Sequence, residues 1–219
     1  MPGTTYDPLK DFTPVGIMAT TPIVLAVPAS SAFKTIEDLV REAKAKPDNF
    51  TIGTLSLGSS SEMAAQDLMA TTGMKLRIIP YKGAPNATQA LVAGEIDVAI
   101  LSPLTSLSLV DAGKLRALAI SSKTRLDTMP NVPTISETIV PGYTFDVWFA
   151  LLAPKSVPQP VLARLFDAVQ AYNAEGETKK YLDRMGLQPV SLTYPQTVDF
   201  FTKDSERLVE VAKKFAPTQ

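Results

Sequence analysis

The densest run of small polar residues is Gly53-Thr54-Leu55-Ser56-Leu57-Gly58-Ser59-Ser60-Ser61, between a strand-like and a helix-like segment. That arrangement suits anion capture. The first turn of a helix exposes unpaired N–H groups that together carry about half a positive charge. Glycine and serine let an anion approach the backbone closely. Thr54, Ser56, Ser59 and Ser60 add hydroxyl donors, and Gly58 adds an accessible N–H. An ordinary strand-to-helix turn capped by serine has the same pattern, so the run alone leaves both readings open. No lysine follows at the Walker position, which disfavours a nucleotide-binding loop. A second polar loop, Pro80-Tyr81-Lys82-Gly83, offers a phenol and a point charge, or is simply a solvated turn. A third candidate, Ser102-Pro103, follows the next strand and on its own reads as a strand terminator. Three such loops at the same end of neighbouring parallel strands would wall one side of a polar cleft.

Other chemistry is limited by composition. The chain has no cysteine and no histidine. Thiol nucleophiles, disulfides and Cys-ligated zinc are excluded, and so is a Ser-His-Asp or Cys-His site built from this chain alone. Asp97, Asp111, Asp127 and Asp146 show no pairing of the kind a two-carboxylate mechanism needs, and no acidic loop has the pattern of a calcium or magnesium site. No catalytic residue, metal or cofactor is therefore expected, and the chain is read as not an enzyme. With 21 basic and 22 acidic residues, no basic excess favours nucleic acid. Trp148 and Phe149 read as core or hinge packing rather than as a stacking platform.

The elements that must position these loops follow from periodicity. A strand at Ile23–Val27 is followed by a helix opening at Thr35 with a capping-box spacing to Asp38. Then come a short strand at Phe50–Gly53, the Gly/Ser loop, and a helix from Glu62 to Thr72 stopped by Gly73. The alternation repeats: strand Lys75–Ile79, helix Asn86–Ala93, strand Ile96–Leu101, helix Leu104–Ala112, strand Leu115–Ile120. This rhythm predicts an α/β fold with a largely parallel sheet. Beyond a Pro-rich connector at 129–134, a buried strand is predicted over 147–153, then helices around 161–172, 179–185 and 194–215. No stretch is long and apolar enough for a membrane helix. The N-terminal Met1-Pro2-Gly3-Thr4-Thr5 lacks the basic and apolar regions of a signal peptide.

The order of motifs resembles the substrate-binding proteins of tripartite tricarboxylate transporters, often called the Bug family. The resemblance runs from Tyr6-Asp7-Pro8-Leu9-Lys10-Asp11-Phe12 through the Gly/Ser loop, Pro80-Tyr81-Lys82-Gly83 and Leu91-Val92-Ala93-Gly94-Glu95-Ile96-Asp97. It continues through Gly113-Lys114-Leu115-Arg116, Pro130-Asn131-Val132-Pro133-Thr134 and Pro141-Gly142-Tyr143 to Trp148-Phe149-Ala150-Leu151. It implies a type II periplasmic binding protein-like fold that closes on small organic acids, a periplasmic location, and delivery of the ligand to membrane transporter subunits. Family members carry a strand and a Pro-Gly-Gly-rich loop upstream of the Tyr6 segment, so the expectation here is an N-terminally truncated copy. It would have one complete α/β domain plus the remnant of a second: a lead-in segment at 1–19, a ligand-binding domain at 20–145, and the incomplete domain at 146–219. The incomplete domain is expected to expose apolar surface and support a homodimer. The Gly/Ser loop departs from the family pattern at Leu55, Ser56 and Glu62, the last standing where the family usually has histidine.

On these grounds the ligand-binding residues are expected to be Thr54, Ser56, Gly58, Ser59, Ser60, Tyr81, Lys82, Gly83 and Ser102. The competing readings are a cytoplasmic effector-binding module like those of LysR-type regulators, which share the fold class, and a truncated remnant that binds nothing.

Overall fold

In the computed structural model, residues 5–215 are described. Residues 1–4, part of the N-terminal stretch read above as lacking a signal peptide, lie outside them. The chain divides into two compact units. One comprises residues 22–147, the other residues 1–21 together with 148–219.

The 22–147 unit is built on a five-stranded sheet. Its strands are β2 (Val24–Pro28), β3 (Thr51–Thr54), β4 (Arg77–Pro80), β5 (Val98–Leu101) and β6 (Leu115–Ile120), in the order β4-β3-β5-β2-β6. β3 pairs in parallel with both β4 and β5. β2 runs antiparallel to both β5 and β6, so four strands share one direction, as the expected largely parallel sheet has them, and β2 alone is reversed. The strands facing helices on both sides are almost wholly buried: Val24 to Val27, Ile52, and Val98 to Leu101 are all 4% exposed or less. Hence they read as continuous apolar runs rather than alternating ones.

Five helices belong to this unit: α2 (Ile36–Ala45), α3 (Ser60–Thr72), α4 (Ala84–Ala93), α5 (Pro103–Asp111) and the short α6 (Ile135–Thr138). Their ends follow the local chemistry. Thr35 and Asp38 form the capping box of α2, and Thr134 and Glu137 that of α6. Gly73 and Gly94 end α3 and α4 in the left-handed conformation, where a side chain is disfavoured. Two side chains tie distant segments of this unit together. Asp97 accepts from the backbone N–H of Thr51 at 2.8 Å and from its hydroxyl at 2.7 Å, clamping the start of β3 to the start of β5. Ser121 accepts from the N–H of Ile23 at 2.9 Å and donates to the carbonyl of Phe145, joining the first and last segments of the unit.

The other unit contains α1 (Pro8–Asp11), β1 (Phe12–Pro22), β7 (Asp146–Pro154), α7 (Gln159–Ala174), α8 (Gly176–Arg184), β8 (Gln188–Pro189) and α9 (Tyr194–Phe215). Its three-stranded sheet has the order β7-β1-β8. β1 is an eleven-residue strand where the sequence suggested only a lead-in segment. α7 lies directly on it: a β-carbon added at Gly16 would stand 2.7 Å from Val169 Cγ1. Asn173 of α7 donates to the carbonyls of Ile17 at 3.1 Å and Val190 at 2.9 Å, bridging the middle of β1 and the residue after β8. Trp148 packs edge-on against Phe200 and Phe201, and its indole N–H reaches Asp204 at 2.6 Å, so it serves packing within this unit.

The Asp97 clamp leads to a stability prediction. Asp97→Asn keeps the shape but removes the charge from two short hydrogen bonds. It should destabilise the protein by about 1.5–3 kcal/mol, the usual worth of a hydrogen bond to a charged group. Denaturant unfolding of the two proteins checks this. An unchanged midpoint would mean that the clamp is dispensable.

Candidate functional site

The three polar loops follow the carboxyl ends of three adjacent parallel strands. β3 is the central strand, with β4 on one side and β5 on the other. The loops at 55–59, 81–83 and 102 therefore share one edge of the sheet. The first two are joined by backbone hydrogen bonds: the N–H of Tyr81 donates to Thr54 O and that of Gly83 to Leu55 O, each at 2.9 Å. Gly53 packs beside this junction. A β-carbon there would stand 2.4 Å from Ile96 Cδ1 and 3.5 Å from the ring of Tyr81.

The loop after β3 is held by its own hydroxyls. α3 begins at Ser60, two residues earlier than its periodicity suggested, because Ser59 is the N-cap and accepts from the N–H of Glu62. Ser59 Oγ also donates to Ser56 O at 2.7 Å and stands 2.9 Å from Ser61 Oγ. Ser61 is buried and accepts from the N–H of Leu55 at 2.9 Å. The N–H of Gly58 donates to the carboxylate of Glu62.

The nine expected residues thus fall into distinct situations. Ser56 and Gly58 are exposed at the loop tip, although the Gly58 N–H is held by Glu62. Ser59 and Ser60 are half-buried at the start of α3, and the Ser59 hydroxyl is engaged in capping. The ring of Tyr81 packs into the apolar cluster containing Ile96, Ala90 and Leu91, so its larger role is packing. Lys82 is exposed, and among the described residues its ammonium makes no ion pair. Gly83 has φ +92° and caps α4 without a side chain. Ser102 is exposed on the β5 side of the same edge, but its hydroxyl caps α5 through Thr105 at 3.0 and 3.3 Å.

Thr54 differs from the rest. It is fully buried, and its hydroxyl has no hydrogen-bond partner among the described residues. Its direction follows from strand alternation. Gly53 faces Ile96 and Tyr81, which cluster with Ala90 and Leu91 of α4. Thr54, the next residue, therefore faces the opposite side of the sheet, where α3 begins.

The nine expected residues leave out Ser61, Glu62 and Leu57, although Glu62 already stands out in the sequence as a departure from the family pattern. Ser59-Ser60-Ser61-Glu62 has the Ser-x-x-Glu spacing that folds a glutamate back over a helix start, and that spacing was the available signal. Leu57 stands 77% exposed beside Gly58, an apolar side chain at the tip of a polar loop. No cluster of three or more potential metal ligands occurs among the described residues. A cavity of about 370 Å³ runs between α4 and α5, lined by Ala84, Pro85, Thr88, Val92, Leu109 and Lys114, and none of the nine expected residues lines it.

The sequence matches the family described as tripartite tricarboxylate transporter family receptor over residues 1–216. It is 32% identical over 207 residues to a Pseudomonas sp. protein from the tcbD-tcbE intergenic region, covering 94% of this chain. The chain spans only 62% of that relative's length. Among solved structures, it is similar to R. palustris Rpa4515 with adipate: TM-score 0.82, 29% identity, covering 97% of this chain and 71% of the other. It is also similar to MatC from Rhodopseudomonas palustris with bound malate: TM-score 0.80, 25% identity, covering 96% and 73%. These similarities bear out the α/β, periplasmic-binding-protein-like fold class expected from the sequence.

The orphaned hydroxyl supplies the prediction for this site. A buried hydroxyl without a partner is a liability that an isosteric apolar group removes. Thr54→Val should leave stability unchanged or raise it, by up to about 1 kcal/mol. Thermal unfolding of the unliganded protein measures this. A clear loss of stability would show that the hydroxyl supports the fold.

Proposed function

This chain belongs to the tripartite tricarboxylate transporter receptor family, and on that premise we propose that it captures a small organic acid for delivery to membrane transporter subunits, in the periplasm and without chemical turnover. The single observation behind the ligand class is the buried, unpartnered hydroxyl of Thr54 beneath the first turn of α3. It stands at the edge shared by three polar loops, next to the helix end where an anion is favoured. The acids named for two similar proteins, adipate and malate, are dicarboxylates of different length. Lys82, exposed on the neighbouring loop, is the side chain available for a second carboxylate. In this reading Thr54, Ser56, Gly58, Ser59, Ser60, Tyr81, Lys82, Gly83 and Ser102 form the binding edge.

The expected strength follows from the parts. A helix terminus contributes roughly 0.3–1 kcal/mol, rising to about 2 when partly buried. One hydrogen bond to a charged group adds on the order of 1.5–3 kcal/mol. Together they reach about 4 kcal/mol, which corresponds to millimolar binding. Calorimetry against adipate, malate and aromatic acids should therefore give millimolar dissociation constants. Ser59→Ala, Lys82→Ala and Thr54→Val should each weaken binding about three- to tenfold, equivalent to some 0.7–1.4 kcal/mol. Affinity unchanged in all three would place the ligand elsewhere. No binding of any acid would remove the reading.

The proposal also includes a homodimer through the unit containing residues 148–219. β7 lies at the edge of its sheet, with Phe149 48% and Leu151 40% exposed. Such an edge invites pairing with another chain. Sedimentation should show a concentration-dependent dimer that Phe149→Glu converts to monomer. A strict monomer at high concentration would refute it.

A further inference from the structure

We infer that Glu62 is a built-in competitor for the anion position at the start of α3, and so a specificity-determining residue of the binding edge. The inference rests on the carboxylate-capture reading above. A ligand carboxylate seated at this helix end would take the N–H of Gly58, yet in this structure that N–H donates to the Glu62 carboxylate. Glu62 stands in the first turn of α3, where the helix end stabilises negative charge. Its own charge therefore occupies the field that would hold a ligand. No basic side chain makes an ion pair with Glu62 among the described residues; the other side-chain contact is a long 3.5 Å hydrogen bond from Gln66.

Thr54 marks the same place as unfinished. Its buried hydroxyl faces the α3 side of the sheet and has no partner among the described residues. Ser61 links the first turn of α3 to the N–H of Leu55, the residue after Thr54. The open donor and the occupied donor therefore lie at one strand-to-helix junction. If Glu62 were only a structural cap, its carboxylate would take the N–H of the N-cap residue, Ser59, as in a capping box. Instead, the Ser59 N–H donates to Ser56 O, and Glu62 reaches one residue further along the loop to Gly58. A ligand carboxylate placed there meets the like charge of Glu62 at close range, so it binds only when the Glu62 side chain swings away.

The test compares the wild-type chain with Glu62→Gln and Glu62→Ala by calorimetry, using adipate as the probe. Glu62→Gln keeps the length and an acceptor oxygen and removes only the charge. Both variants should bind adipate about tenfold more tightly, a difference of about 1.4 kcal/mol. In the wild type, saturating adipate should also shift the Gly58 amide resonance as Glu62 leaves it. Should Glu62→Ala fail to fold, Glu62→Gln carries the comparison alone. Wild-type binding with no gain in Glu62→Gln, or an unmoved Gly58 resonance, overturns the inference and leaves the functional reading standing. Absence of binding in the wild type and in both variants overturns the two together.

Discussion

The backbone of β3 at Gly53 packs against the tip of the Ile96 side chain, and the N–H groups of the loop after β4 fasten to the next two residues, which holds two polar loops of the proposed binding edge together. Because Ile96 can lie against bare backbone, β5 starts beside β3 with Asp97 in reach of Thr51. The Tyr81 ring lies on the same face of Gly53 as Ile96, and the N–H groups of Tyr81 and Gly83 bond to Thr54 and Leu55. Packing at Gly53 and these backbone hydrogen bonds together set the spacing of the polar groups.

The proposed binding edge would work with fixed dipoles more than with formal charge. The chain is almost neutral, with 21 basic and 22 acidic residues, so it carries no broad field to draw an anion. What remains local is the half-charge at the start of α3 and the ammonium of Lys82. The hydroxyls nearby are mostly turned inward. Ser59 binds Ser56, Ser61 binds Leu55, and Ser102 binds Thr105. Such internal bonds hold the loop backbone in place, so that little ordering remains when a ligand arrives. The serine-rich composition therefore reports mainly on the rigidity of the edge, and only secondarily on ligand contacts.

Much of the 22–147 unit was legible because its signals are local. Gly73, Gly94 and Gly113 mark helix ends, Thr35 and Asp38 mark a helix start, and the buried strands are short apolar runs. The family resemblance was legible too, since it rests on motif order along the whole chain. What could not be read were pairings between distant segments. β2 runs against its neighbours because Pro22 and Ile23 bring the chain in beside Ser121, a contact across 98 residues. β1 pairs with the two-residue β8 at Ala19–Pro189 and Thr20–Gln188, and neither strand has a local alternation strong enough to announce itself. At the binding edge, the start of α3 was placed two residues late. The periodic apolar positions begin after Glu62, whereas the cap that fixes the helix start is Ser59. That shift hid Glu62 inside the expected helix and left the Gly58 N–H looking free.

Under the carboxylate-capture reading, Thr54 and Glu62 together hold a binding position in reserve. A folded protein gains by pairing every buried polar group, and leaving a hydroxyl orphaned costs roughly 1–3 kcal/mol. A threonine at the end of a buried strand is easily replaced by valine of nearly the same shape, so the cost has no packing rationale. Under the carboxylate-capture reading, the hydroxyl is retained for a partner that arrives from solution. Glu62 acts in the opposite sense on the same junction. By seating its carboxylate at the helix end, it would, on this reading, lower the energy of the unliganded loop and raise the threshold for an incoming anion. Under the same reading, affinity is the difference between two anions contending for one set of donors, and selectivity is set by how well a ligand fills the position that Glu62 vacates.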